Sequence, residues 1–129
     1  VLPTATGGTQ AGLRAGLPLS IAVTGVLVAR SSADLRRSIA ATVGELGGAA
    51  DAAIDLDETH LGDGYGRPTA EAAEAEAILG RTEAILVDPI YTAKALAGLI
   101  AGIRSGAWDG ERVVFWHAGG LPGLFEPLD

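Results

Sequence analysis

Short uncharged runs alternate along the chain with stretches whose apolar residues recur every three to four positions. Residues 1–5 and 21–29 (IAVTGVLVA) have the pattern of buried strands. The spacing of Leu35, Ile39, Val43 and Leu46 predicts a helix over 31–46 with all four side chains on one face. Ser31 or Ser32 suits its start and Gly47-Gly48 its end. Residues 52–56 carry a less pronounced strand pattern, and 57–68 are rich in turn formers. Thr69 is placed to cap a helix over 70–81, with Glu71, Glu74 and Glu76 near its positive end. Residues 84–87 predict a strand stopped by Asp88-Pro89. Residues 91–105 predict a helix with Leu96, Leu99, Ile100 and Ile103 inward and Gly106 at its end, and 112–116 a last strand.

This β/α alternation predicts an α/β fold, an open, mostly parallel sheet with helices on both faces. In such sheets ligands bind beyond the carboxyl ends of the strands. The segments expected there are 4–9, 57–65, 88–92 and 117–120, and nearly every polar or glycine-rich cluster of the chain falls in one of them.

Composition narrows the classes of function. The 129 residues suffice for one domain burying roughly two-thirds of its unfolded surface. Aromatics are 5%, so the core must be mainly Ala, Val, Ile and Leu. A net charge of −7 argues against binding a nucleic-acid backbone, and the charge is uneven, +2 over residues 1–50 and −9 over 51–129. No Cys is present, which removes disulfides, thiolate metal sites and cysteine nucleophiles. No apolar run reaches the ~18 residues of a membrane span. The chain begins at Val1 inside an apolar stretch, holds no Met and has one lysine, Lys94; it reads as a piece of a longer protein.

Four motifs carry candidate chemistry. In the first, Thr4-Ala5-Thr6-Gly7-Gly8-Thr9-Gln10-Ala11-Gly12 joins a strand to a helix. Its glycines permit close approach of an anion, while free helix N–H groups and two threonine hydroxyls supply donors. It is either a phosphate cradle or an ordinary strand–helix turn; neither a nucleoside-triphosphate loop nor GxGxxG is present. The second, Gly62-Asp63-Gly64-Tyr65-Gly66, either presents Tyr65 to a site or uses it to anchor a turn. The third, Asp88 to Lys94, places Tyr91 and Thr92 in a helix's first turn; Asp88 reads as an N-cap and Lys94 as a surface or ion-paired residue. The fourth, His117-Ala118-Gly119-Gly120, has a second glycine pair, and His117 reads as structural. His60 and His117 lack metal-ligand partners at helical spacing, and no GxSxG elbow is present.

In this order and spacing, TGGTQAG (6–12), GDGYG (62–66), DPIYTAKALAGLI (88–100) and HAGGLPGLF (117–125) resemble the D-cysteine desulfhydrase and 1-aminocyclopropane-1-carboxylate deaminase family. These are pyridoxal 5'-phosphate enzymes of the tryptophan-synthase-β-like fold, and the resemblance covers essentially the whole chain. It implies that Ala5, Thr6, Gly7, Gly8 and Thr9 hold the cofactor phosphate, with Thr92, Ala118 and Gly119 also at the cofactor. Tyr65 and Tyr91 match the family's active-site tyrosines. Thr92 stands where the deaminases carry a glutamate facing the pyridine nitrogen, which points to the desulfhydrase branch. Ala118 departs from that branch, which usually has Thr there. The family's Schiff-base lysine lies in an N-terminal part with no counterpart in residues 1–129, and Lys94 matches a different family lysine. The chain therefore corresponds to the C-terminal part of such an enzyme and is expected to be inactive alone.

The activity implied is α,β-elimination from a cysteine-type amino acid, giving pyruvate, ammonia and sulfide or a thiol. The expected enzyme is cytoplasmic and homodimeric, without nucleic-acid, membrane or metal partners, and completed by the missing N-terminal segment or a second chain. Three alternatives stand beside it. They are a carbon–sulfur lyase domain of a larger biosynthetic polypeptide acting on a cysteine thioether, a 1-aminocyclopropane-1-carboxylate deaminase, and a non-catalytic phosphate-ligand or assembly fragment.

Overall fold

A computed structural model describes residues 1–29, 32–49 and 52–125. The elements run β1 (Leu2–Thr4), α1 (Gly8–Gly16), β2 (Thr24–Leu27), α2 (Ser32–Glu45), β3 (Asp55–Asp57), α3 (Ala70–Glu83) and α4 (Thr92–Arg104). A 3₁₀ turn, Leu121–Leu124, follows. The three strands form a parallel sheet in the order β1-β2-β3, with Thr4 opposite Leu27 and Val26 opposite Asp57.

Successive strand residues point to opposite faces, and the side chains on β2 separate two cores. Leu27 joins Ala11, Leu35, Ile39, Val43 and Leu56 in a cluster under α1 and α2. Val26 points the other way, against Gly98 of α4. There Ala93, Leu96 and Ala97 pack with Ala72, Ala75 and Val87. Helices therefore cover both faces, as the alternation predicted. The alanines let α3 and α4 approach closely, and an Arg104–Glu74 ion pair of 2.7 Å spans their exposed side.

Buried polar side chains tie helices to strands. Gln10 of α1 lies across the sheet, donating to the Asp55 and Val23 carbonyls at 2.7 and 3.3 Å and accepting from the Thr4 hydroxyl at 3.0 Å. Gly25 leaves room for it, because a Cβ there would stand 2.2 Å from the Gln10 Oε1. Arg36 of α2 donates to the Ile54 carbonyl beside β3 at 2.6 Å. Thr69 caps α3 as predicted, accepting from the Ala72 amide at 3.1 Å.

Several expectations are corrected. Residues 84–87 carry no strand: Ala84 ends α3 in the left-handed region (φ 56°), and Val87 turns into the α3–α4 core. Residues 112–116 are not a strand either, although they begin one. The Val1 nitrogen donates to the Val114 carbonyl and the Trp116 amide donates to the Val1 carbonyl, both at 2.8 Å. That is the parallel pattern, one residue wide. The strands at 2–4, 24–27 and 55–57 are shorter than the apolar runs, because hydrogen bonding ends where the neighbour diverges. Leu46, just past the end of α2, and Ile103, in the last turn of α4, are 59% and 58% exposed rather than inward. Ser31 lies outside the described residues. No helix among the described residues is long and apolar enough to cross a membrane.

Candidate functional site

At the carboxyl end of β1 the chain turns into α1 through Gly7, whose φ of 87° a residue with a side chain rarely adopts. A Cβ on Gly7 would also stand 2.4 Å from Ile39 of α2, so glycine is required by packing as well as by conformation. The turn leaves the N–H groups of Gly8, Thr9 and Gln10 without helical carbonyls to bond, the first internal bond being Ala11 to Gly7 at 2.8 Å. Thr6, Gly8 and Thr9 are exposed.

The opposite wall is the start of α4. Asp88 is buried and its carboxylate accepts from the amides of Ile90, Tyr91 and Thr92 at 3.1, 2.6 and 2.9 Å. Asp88 is not the N-cap the sequence suggested, a position held by Tyr91; from three residues upstream its carboxylate takes the amides leading into α4 and faces the positive end of the helix. The Thr92 hydroxyl donates to the Gly119 carbonyl at 3.0 Å and so binds the fourth loop to α4. His117 supports that loop: its Nδ1 accepts from the Gly119 amide at 3.3 Å, and Nε2 lies 3.4 Å from the Leu86 carbonyl. This is the structural reading of His117, with the ring tautomer assigned from those two partners.

Between these walls is a cleft of about 230 Å³ lined by residues 3–10, Tyr91, Thr92 and 118–120. Every residue proposed at the cofactor lines it: Ala5, Thr6, Gly7, Gly8, Thr9, Thr92, Ala118 and Gly119. Tyr91 lines it too. Tyr65 does not, but its hydroxyl meets that of Tyr91 at 2.5 Å, with the rings edge to face and 5.9 Å apart. Three of the four expected loops thus meet at one cleft, and the 57–65 loop reaches it through the tyrosine pair.

Pro3, Thr4, Gln10 and Gly120 also line the cleft, and of these only Pro3 lies outside the expected loops and motifs. Gly120 stood in the glycine pair and Gln10 in the quoted TGGTQAG stretch, so both were within reach of sequence reasoning. Lys94 was placed wrongly. It is fully buried, and its Nζ donates to the carbonyls of Leu61 and Gly64 at 2.7 and 3.1 Å. The signal was its setting: a lone cation inside an otherwise apolar helical run, AKALAG.

The electrostatics of the cleft favour a phosphate. Although the chain carries −7, no carboxylate, ammonium or guanidinium lines the cleft among the described residues. What faces it at the first loop is a row of unpaired N–H groups, two threonine hydroxyls and the positive end of α1. These donors suit a phosphate dianion without any counter-charge. Among the described residues, no group of three or more His, Asp or Glu side chains could hold a metal ion.

Comparison with known proteins agrees with this chemistry. Residues 1–119 match the family model described as pyridoxal-phosphate dependent enzyme. A crystal structure described as an ACC deaminase homologue superposes with a TM-score of 0.86 at 32% sequence identity, over 97% of this chain. The chain spans 40% of the length of that homologue. With a cleft whose donors suit a phosphate and a family match over nearly all its length, the chain belongs to the pyridoxal-phosphate-dependent enzymes, in the branch of the D-cysteine desulfhydrases and ACC deaminases.

Proposed function

We propose that these residues form the phosphate-binding part of the active site of a carbon–sulfur lyase resembling D-cysteine desulfhydrase. The reaction is α,β-elimination: the Cα proton is removed, the Cβ–S bond breaks, and hydrolysis of the remainder gives pyruvate and ammonia beside sulfide or a thiol. When bound, pyridoxal 5'-phosphate takes up the electron pair left at Cα.

The residues of the chain have distinct parts in this reading. The N–H groups of Gly8 and Thr9, with the Thr6 and Thr9 hydroxyls, hold the phosphate, and Ala5 and Gly7 shape the turn. Thr92 spends its hydroxyl proton on Gly119, so its oxygen turns only lone pairs to the cleft. Ala118 brings a methyl group and no hydrogen bond. The Tyr65–Tyr91 hydroxyl pair is the proton-bearing group beside the cleft and would orient the substrate. Lys94 is committed to two carbonyls, so the lysine that carries the cofactor and takes the Cα proton comes from polypeptide outside these 129 residues.

The observation that carries the lyase reading is the Thr92 side chain at the cleft. Position 92 is Thr where a deaminase of this family carries Glu, and the nearby Asp88 is occupied with the amides leading into α4. The 32% identity with the ACC deaminase homologue favours a second reading, deamination of 1-aminocyclopropane-1-carboxylate. A protein containing these residues together with the lysine-bearing part separates the two. Pyruvate and sulfide released from D-cysteine support the lyase. Ammonia released from the cyclopropane substrate, with cysteine untouched, replaces it with the deaminase.

A further inference from the structure

A buried lysine is costly unless something in the fold depends on its charge. Lys94 sits on α4 among Ala93, Ala95, Leu96 and Ala97, where an apolar side chain would fill the same space. Burial draws its pKa below the ordinary lysine value, and Asp63 offsets part of that. What the ammonium does is bind two backbone carbonyls, of Leu61 and Gly64, in the loop that carries Tyr65.

That loop has little else to fix it near its tyrosine. Gly62, Gly64 and Gly66 all have positive φ, at 65°, 129° and 76°, so the backbone there is held in conformations costly in entropy. Around Gly64 and Gly66 no atom lies within 4 Å of where a Cβ would stand, so side-chain packing does not hold these positions. Tyr65 itself is 63% exposed. Its hydroxyl nevertheless reaches Tyr91, the residue that precedes α4. Lys94 lies one turn into the same helix, so helix and loop are joined at two places, the lysine and the tyrosine pair.

We propose that Lys94 is a positioning residue: its ammonium holds the Leu61 and Gly64 carbonyls against α4 and thereby sets the Tyr65 hydroxyl against that of Tyr91. The functional importance of this rests on reading the two tyrosines as substrate-facing; the clamp itself does not. Substituting Lys94 would release Tyr65 from Tyr91 while leaving residues 5–9, which Lys94 does not touch, intact.

The composition makes the test specific, because the chain has two tyrosines and one lysine. In the full chain labelled with 3-fluorotyrosine, Tyr65→Phe and Tyr91→Phe assign the two fluorine resonances. The expected result in Lys94→Met is that the Tyr65 resonance moves toward its denatured position. It should also stop responding to Tyr91→Phe, as it does in the parent chain. A folded Lys94→Met chain with both resonances unmoved overturns the proposal. Should that variant not fold, the parent chain labelled with ¹⁵N-lysine decides. A single ammonium signal with slowly exchanging protons, coupled to the Leu61 and Gly64 carbonyls, supports the clamp; a freely exchanging ammonium overturns it. Neither readout involves pyridoxal phosphate, so failure of cofactor binding would count against the function and leave the clamp standing.

Discussion

At the scale of single residues the cleft works by what its side chains lack. Thr6 is exposed and beside the unpaired N–H groups, so charge can be added there without disturbing the core. Thr6→Asp is expected to weaken pyridoxal 5'-phosphate binding by about tenfold or more through like-charge repulsion, with the thermal midpoint unchanged. Calorimetric titration checks this, and equal affinity in the two proteins would remove residues 5–9 from the phosphate site. Asp88 is the opposite case, a charge used wholly for structure. Asp88→Ala leaves three amides at the start of α4 without their acceptor and is expected to cost about 2 kcal/mol in denaturant unfolding, with Asp88→Asn between the two. The Thr69 cap and the glycine loops were legible in the sequence, because a cap and a turn depend on neighbours in the chain. Lys94 was misread because its partners are about thirty positions away.

Between elements, α4 is the hub. It contacts β1 and β2, packs along α3, and meets the 57–65 loop at Lys94 and again at Gly98, where a Cβ would stand 3.2 Å from the Asp57 carboxylate. Asp57 ends β3 and lies 2.8 Å from His60 Nδ1. Burial alone would raise its pKa, but hydrogen bonds from the Thr59 hydroxyl and amide, with His60 beside it, hold it below the ordinary carboxylate value. A depressed carboxylate contributes stability that is fully present above its unfolded pKa, about 4, and is lost as pH falls through its folded value. The parent chain should therefore lose stability as pH falls below about 4, and Asp57→Asn should show a shallower slope there. Equal slopes would mean that the 57–60 turn does not hold this loop. Helix positions were legible because apolar spacing and caps are local. The strands at 84–87 and 112–116 were overread, because an apolar run becomes a strand only beside another backbone.

For the whole molecule, the relevant fact is that the cleft proposed to hold the phosphate stands in a chain spanning 40% of the homologue it resembles. Its one lysine is held between carbonyls with its amine directed away from solvent. Incubation of the 129-residue chain with pyridoxal 5'-phosphate, followed by borohydride reduction and peptide mapping, is expected to leave Lys94 unmodified. The same chain should release no pyruvate from cysteine. Cofactor fixed on Lys94 would overturn both the clamp and the assignment of the cofactor lysine to polypeptide beyond this chain.

The sequence by itself determined the α/β class, the Thr69 cap, the glycine turns and the family, because each is written in residues close together in the chain or in motifs of fixed order. Tertiary structure alone decided three things. Strand ends depend on where neighbouring backbones part. The exposure of Leu46 and Ile103 depends on what packs against each helix end. The role of Lys94 depends on a loop that folds back over α4. The opening pattern of apolar and polar positions therefore indicated which loops come together at the cleft, while hydrogen bonds between distant segments decided what stands behind them.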